Sequence, residues 1–232
     1  MREIVLDTET TGLEPGEGHR VVEIGALELS NHLPTGRVFH AYINPERHMP
    51  ADALLVHGLT AAFLADQPVF AQVVDDFLAF LDHDLDDFPA PARLIIHNAL
   101  FDITFLNSEL ARLGLPPVDR TRSVVDTMQL AKQRFPGAPT SLDALCRRFN
   151  VDASARIRHG ALLDAELLAE VYLGLIGGRQ PDLGLVVARA ERITVLVRER
   201  VPRPARPHAP SLEELAAHAA LLARLKEPLW LV

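Results

Sequence analysis

Apolar residues fill three consecutive positions at Ile4, Val5 and Leu6 before the chain turns polar through DTETTG. An unbroken run of this kind predicts a central strand over 4–12, buried on both faces. VEIGALEL (22–29) and VFHAYI (38–43) read as two further strands, separated by the turn residues NHLPTG. Three strands joined by short turns suggest an antiparallel meander. Residues 50–67 read as short helices around HGLT, and VFAQVVDDFLAFL (69–81) spaces its Phe, Val and Leu as an amphipathic helix does. The pattern then changes. RLIIH (93–97) is a short apolar strand, NALFDITFLNSELARLG (98–114) a helix ended by glycine, and SVVDT (123–127) the last strand. Helices follow at MQLAKQRF, SLDALCRRF and GALLDAELLAEVYLGL (160–175). A meander followed by alternating strand and helix implies an α/β fold: a mixed five-stranded sheet flanked by helices.

Beyond Gly177 and Gly178 the texture differs, giving three expected regions: a folded domain over 1–178, a linker over 179–210 and a terminal segment over 211–232. The linker ends in the proline-rich VPRPARPHAP, which favours an extended tether. SLEE then opens the terminal helix with Ser211 and Glu214 in a capping box, and LEELAAHAALLARL continues at helical spacing for about four turns. A tethered helix with an apolar stripe needs another surface to bury it.

The 232 residues are 48% hydrophobic, enough for one full domain with a core. No apolar run approaches ~18 residues, and the chain opens directly into a charged strand, so the expectation is a cytoplasmic protein without a membrane segment. The single cysteine, Cys146, falls on the apolar face of its helix and reads as a packed thiol. A net charge of −8 argues against free-standing, high-affinity nucleic-acid binding. The linker alone is basic, with seven arginines against Asp182, Glu191 and Glu199.

Candidate chemistry sits on acids. Asp7 and Glu9 emerge from one side of the first strand, close enough to share a cation. Such a pair repels itself and loses hydration unless something compensates. Asp102 lies in the first turns of a helix, beside the i, i+4 pair Phe101 and Phe105. His159 precedes another helix at a glycine, with Asp164 one turn inside. Taken alone, Asp7 with Glu9 and His159 with Asp164 read better as solvated surface, and Asp102 equally well; jointly, Asp7, Glu9, Asp102 and Asp164 suit two hard divalent cations, Mg²⁺ or Mn²⁺, and the lack of further Cys or His ligands argues against zinc. Two such ions ~3.5 to 4 Å apart serve phosphodiester hydrolysis, with His159 able to take the proton of the attacking water.

DTETTG, HNALFD and HGALLD stand in the order of the three motifs of the DEDDh family of 3'-to-5' exonucleases, which have the ribonuclease H-like fold. The resemblance runs through HGLT and FPGAPTSLDALCRRF over about residues 2–178, and is greatest to the branch of proofreading subunits of bacterial DNA polymerase III. It implies an exonuclease that releases nucleoside 5'-monophosphates from a single-stranded or frayed DNA 3' end. Asp7, Glu9 and Asp164 would bind the first metal, Asp7 would bridge to the second, Asp102 would act through waters and His159 would be the general base. Thr10, Leu13, His57, Asn98 and Phe101 would surround the terminal nucleotide, with Asp52 near its sugar. QPDLGL resembles a sliding-clamp-binding hexapeptide, with anchors Gln180, Leu183 and Leu185. The terminal helix, through Trp230, resembles a segment that docks on the polymerase (alpha) subunit. Rival readings are a stand-alone exoribonuclease or DNA-repair exonuclease of the same family, and a non-catalytic adaptor between clamp and polymerase. Co-purification with a polymerase separates the first, and Mg²⁺-dependent cleavage of a frayed primer the second.

Overall fold

The computed structural model describes residues 1–82, 91–154, 156, 158–178 and 209–225. The chain divides into two compact units, Met1–Gly184 and Leu185–Val232. The first begins with β1 (Arg2–Thr10), β2 (Val21–Ser30) and β3 (Leu33–Tyr42), then α1 (Ala51–His57), α2 (Ala61–Ala65) and α3 (Phe70–Asp82). It continues through β4 (Arg93–Ile96), α4 (Ala99–Arg112), β5 (Val124–Asp126), α5 (Thr127–Arg134), α6 (Leu142–Phe149) and α7 (Ala161–Leu175). The sheet order is β3-β2-β1-β4-β5. The first three strands are antiparallel, while β4 and β5 run parallel to β1 and to each other, giving the expected mixed five-stranded sheet.

The central place of β1 follows from its sequence. Ile4, Val5 and Leu6 are all fully buried, so both faces need cover. Ile4 and Leu6 join Ile24, Leu94 and Ile96 beneath the aromatic side chains of α3 and α4. Val5 joins Leu27, Leu29 and Ile95 beneath α5, α6 and α7, a layer that includes the buried thiol of Cys146.

Two local expectations need correction. The β2–β3 turn is only Asn31-His32, not the whole of NHLPTG. Both residues adopt positive φ, 48° and 68°, the backbone that a tight two-residue hairpin demands. Pro34 therefore lies within a strand, tolerated because β3 is the sheet edge and needs no amide donor on its outer side. The second correction concerns the terminal helix.

In the second unit, α8 (Leu212–Leu222) spans eleven residues, about three turns where four were expected. Its start is the predicted capping box: the Ser211 hydroxyl accepts from the Glu214 amide at 3.2 Å, and the Glu214 carboxylate accepts from the Ser211 amide at 2.8 Å. Gln180, Leu183, Leu185 and Trp230 lie outside the described residues. Among the described residues no helix is long and apolar enough to cross a membrane.

One glycine sets the position of α7. Gly25 pairs with Asp7 across the β1–β2 ladder, and a Cβ added there would come within 2.2 Å of the Leu162 amide nitrogen and 2.3 Å of the Ala161 carbonyl carbon. The first turn of α7 thus rests directly on the β2 backbone, two residues from Asp164. Gly25→Ala should force that turn away, costing ~1–3 kcal/mol of stability and lowering activity with it. Thermal unfolding beside turnover measures both, and a fully active, fully stable variant would refute the close approach.

Candidate active site

The acids converge at the carboxyl ends of the parallel strands, where open α/β sheets commonly form their crevices. Asp7 and Glu9 come from the end of β1, Asp102 from the first turn of α4 and Asp164 from the first turn of α7. All four line one cavity of about 330 Å³, together with His97, Asn98, Phe101, Asp143, Arg156 and His159. Ligand atoms of Glu9, His159 and Asp164 lie within 4.8 Å of one another. Asp7 lines the same cavity but stands outside that tightest group.

Each acid has a different local anchor. Asp102 is 2% exposed, and one of its oxygens accepts both the Thr8 amide, at 3.0 Å, and the Thr8 hydroxyl, at 2.7 Å. Thr8 points to the face opposite Asp7 and Glu9, so this clamp joins α4 to β1 between the two acids. Asp164 is gripped by Arg156 and has His159 Nδ1 at 3.2 Å. The His159 amide donates to the Val56 carbonyl at 3.3 Å, tying its loop to α1. Glu9 faces Glu23 across the β1–β2 ladder, and Glu23 is itself held by His40 Nε2 at 2.7 Å.

Crowding shows in the proton affinities. Burial raises the Asp7 carboxyl well above its ordinary range, and neighbouring Asp102, Glu9 and Asp164 add to the effect. Glu9 is pushed up to about 8 by burial, then by Asp164, Glu23 and Asp102. Asp102 rises to about 7 by burial, in spite of the bonds from Thr8 that favour its ionised form. Burial also pushes Asp164 upward, but Arg156 and His159 outweigh it and hold that carboxyl below its usual value. Arg156 offsets this only in part for Asp7 and Glu9, so three of the four acids remain undercompensated, and their oxygen-rich donor set fits hard divalent cations.

A second, larger cavity of about 520 Å³ adjoins the first, with Thr8, Glu9 and Phe101 lining both. Thr10, Leu13, Asp52 and His57 line it as well, so every residue expected around a terminal nucleotide borders one of the two cavities. Leu13 is 78% exposed, an apolar side chain at the open edge of this cavity. His57 is buried, which lowers its pKa and keeps it neutral. Its Nδ1 accepts from the Leu59 amide at 3.0 Å, which leaves the proton on Nε2, and Nε2 has no partner among the described residues.

Sequence reasoning missed Thr8, His97, Asp143 and Arg156. His97 stands beside Asn98, but nothing in the motif distinguishes it. Its Nδ1 lies 2.9 Å from the Thr127 hydroxyl, and its Nε2 has no hydrogen-bond partner among the described residues. Gly25 did carry a signal, since a glycine inside a strand pattern marks a close backbone approach.

Comparison with known proteins gives a consistent result. The family model described as Exonuclease (RNase_T) matches residues 4–172. The chain is 47% identical over 230 residues to the DNA polymerase III subunit epsilon of Rickettsia felis, covering 97% of both chains. It is 44% identical over 234 residues to that of Salmonella typhimurium, covering 95% of this chain and 92% of the relative. For Escherichia coli K12 the figures are 46% over 184 residues, 77% and 72%. Among solved structures, the nuclease domain of 3'hExo, a DEDDh family member bound to rAMP, superposes with a TM-score of 0.63 at 19% identity, covering 75% of this chain and 91% of that one. Exonuclease X in complex with 5' overhanging duplex DNA gives 0.55 at 22% identity, covering 75% and 90%. At those identities the structural likeness establishes the ribonuclease H-like fold alone.

Proposed function

We infer the workings of this site from one premise: the chain belongs to the exonuclease family, in the branch of DNA polymerase III epsilon subunits, and is a metal-dependent 3'-to-5' exonuclease that proofreads. Asp7, Glu9 and Asp164 would hold the first of two Mg²⁺ or Mn²⁺ ions, and Asp7 and Asp102 would help to hold the second. The observation that carries this reading is the meeting of Glu9, His159 and Asp164, drawn from distant parts of the chain, within 4.8 Å. When bound, such ions would supply Lewis acidity that eases deprotonation of water and offsets charge at the leaving oxygen.

The chain's own residues do the rest. His159, on an exposed loop, takes the proton from the attacking water. Thr8 fixes Asp102 so that its second oxygen stays available to the cavity. The neutral His57 offers its Nε2 proton to an oxygen of the terminal nucleotide, with Thr10, Asn98 and the exposed Asp52 as further polar contacts. Leu13 and Phe101 give the base two apolar surfaces. Selection for mispaired ends then needs no base-specific pocket, because a mismatched terminus frays at lower cost and reaches a site that admits only single strand.

Assembly belongs to the C-terminal segment. The helix capped by Ser211 and the region through Trp230 dock on the polymerase (alpha) subunit, and the stretch with Gln180, Leu183 and Leu185 engages the sliding clamp. Support for this division is the helical pattern of the terminus and its proline-rich approach.

A degradation assay tests the catalytic reading. A 5'-labelled DNA primer with a mismatched 3' end should shorten nucleotide by nucleotide in Mg²⁺, faster than a matched primer and faster than RNA of the same sequence. Chelation with EDTA should stop the reaction, and cleavage that persists in EDTA would remove the metal assignment.

A further inference from the structure

Arg156, in the loop between α6 and α7, has no part in the reaction described above, yet it contacts Asp164, His159 and Asp143 at once. Its side chain is 7% exposed. Nε and Nη2 take the two oxygens of Asp164, each at 2.5 Å. Nη2 also donates to Nδ1 of His159 at 2.8 Å, and Nη1 donates to Asp143 on α6 at 2.5 Å. A guanidinium donates and never accepts, so at 2.8 Å it engages Nδ1 of His159 as an acceptor, in competition with the longer hydrogen bond that a protonated Nδ1 would give Asp164 at 3.2 Å. One side chain thus covers both oxygens of an acid and a ring nitrogen of the general base.

This arrangement opposes the working site. A planar, bidentate guanidinium takes a lone pair on each Asp164 oxygen and sets a positive charge where a second cation would approach, and a base whose lone pair is engaged cannot use it to accept a proton. Asp143 offers Arg156 somewhere to go. Its side chain is 57% exposed, it lines the same cavity and it already holds Nη1. An ion pair kept at that wetter edge requires little further desolvation.

We propose that Arg156 is a resident counter-cation, holding Asp164 and His159 in place while divalent ions are absent and withdrawing onto Asp143 when they bind. The proposal rests on the assignment of Asp164 as a metal-holding acid. It makes Arg156 a positioning residue that competes with the metal, so that its removal strengthens metal binding.

Binding of Mn²⁺ to the full chain without DNA tests this, read from the electron paramagnetic resonance signal of the free ion. Arg156→Ala should bind Mn²⁺ about tenfold more tightly, as loss of a charge-assisted competitor implies. Arg156→Lys, which keeps the charge but not the fork, should fall between that variant and wild type. Asp143→Asn removes the resting place and should weaken binding by about threefold, an effect that vanishes in the Arg156→Ala background if the two residues act together. Metal-free Arg156→Ala should also melt earlier than wild type, while the Mn²⁺-saturated proteins melt alike. If Arg156→Ala does not fold, Arg156→Lys and Asp143→Asn decide the matter. Unchanged or weaker Mn²⁺ binding in the Arg156 variants would mark the ion pair as permanent structure and overturn the proposal. A wild-type chain that binds no Mn²⁺ would instead overturn the metal assignment, and the proposal with it.

Discussion

Replacing Glu9 by Gln is expected to lower kcat by ~10³-fold or more while making the metal-free protein more stable. Both effects have one cause. Glu9 is a buried acid pushed up to about 8, by burial first and then by Asp164, Glu23 and Asp102. A cation would use that negative charge, and without one the charge is a liability. Because the folded value lies above the unfolded value of 4.5, the stability Glu9 contributes is complete below pH 4.5 and is lost as the pH rises to about 8. Metal-free wild type should therefore lose stability across that window. Glu9→Gln should lose less, with melting raised by roughly 2–4 °C for each kcal/mol relieved. Asp7 and Asp102, both raised chiefly by burial, account for a slope that persists in the variant. Scanning calorimetry in EDTA between pH 4.5 and 8, beside primer degradation in Mg²⁺, gives both readings. A variant that keeps its activity, or loses stability as steeply as wild type, would take Glu9 out of the metal site.

His159→Ala should slow turnover by ~10² to 10⁴ and leave Mn²⁺ affinity within about threefold of wild type. The histidine is 47% exposed on a loop, with Nδ1 at 3.2 Å from an Asp164 oxygen. That position suits a group that meets water and transfers a proton. It also lies near enough to Glu9 and Asp164 for direct coordination. The two roles separate cleanly: a base takes the acid limb of the pH–rate profile with it when removed, whereas a ligand takes metal affinity. Loss of Mn²⁺ binding in step with activity would reassign His159 as a ligand.

The order of elements was legible in the chain because each strand and helix carries its own period. The run Ile4-Val5-Leu6 announces a strand buried on both faces, and the structure gives it the sheet centre. The capping box at Ser211 and Glu214 announces a helix start at the residue where one occurs. Pattern failed where backbone geometry overrode composition. NHLPTG has the residues of a long turn, yet Asn31 and His32 close the hairpin alone by adopting positive φ, and Pro34 passes into an edge strand that tolerates it. Of the candidate site, the four acids, His57 and His159 were legible as residue types recurring in motifs. Thr8, Arg156 and Asp143 were not, since a threonine in a strand and charged residues in a helix or loop are common everywhere.

What the sequence determined by itself is the identity of the acids, their places at element ends and the alternation that sends Asp7 and Glu9 to one side of β1. Those are local matters, set by dihedral preference and side-chain period over a few residues. Only the tertiary structure decided that the Asp102 carboxylate is pinned by Thr8, 94 residues away, that a missing Cβ at Gly25 lets α7 bring Asp164 to the sheet, and that Arg156 sits on that acid. These depend on distances between segments that no local period encodes, and they are fixed when the two faces of the sheet are covered and the buried charges must find partners.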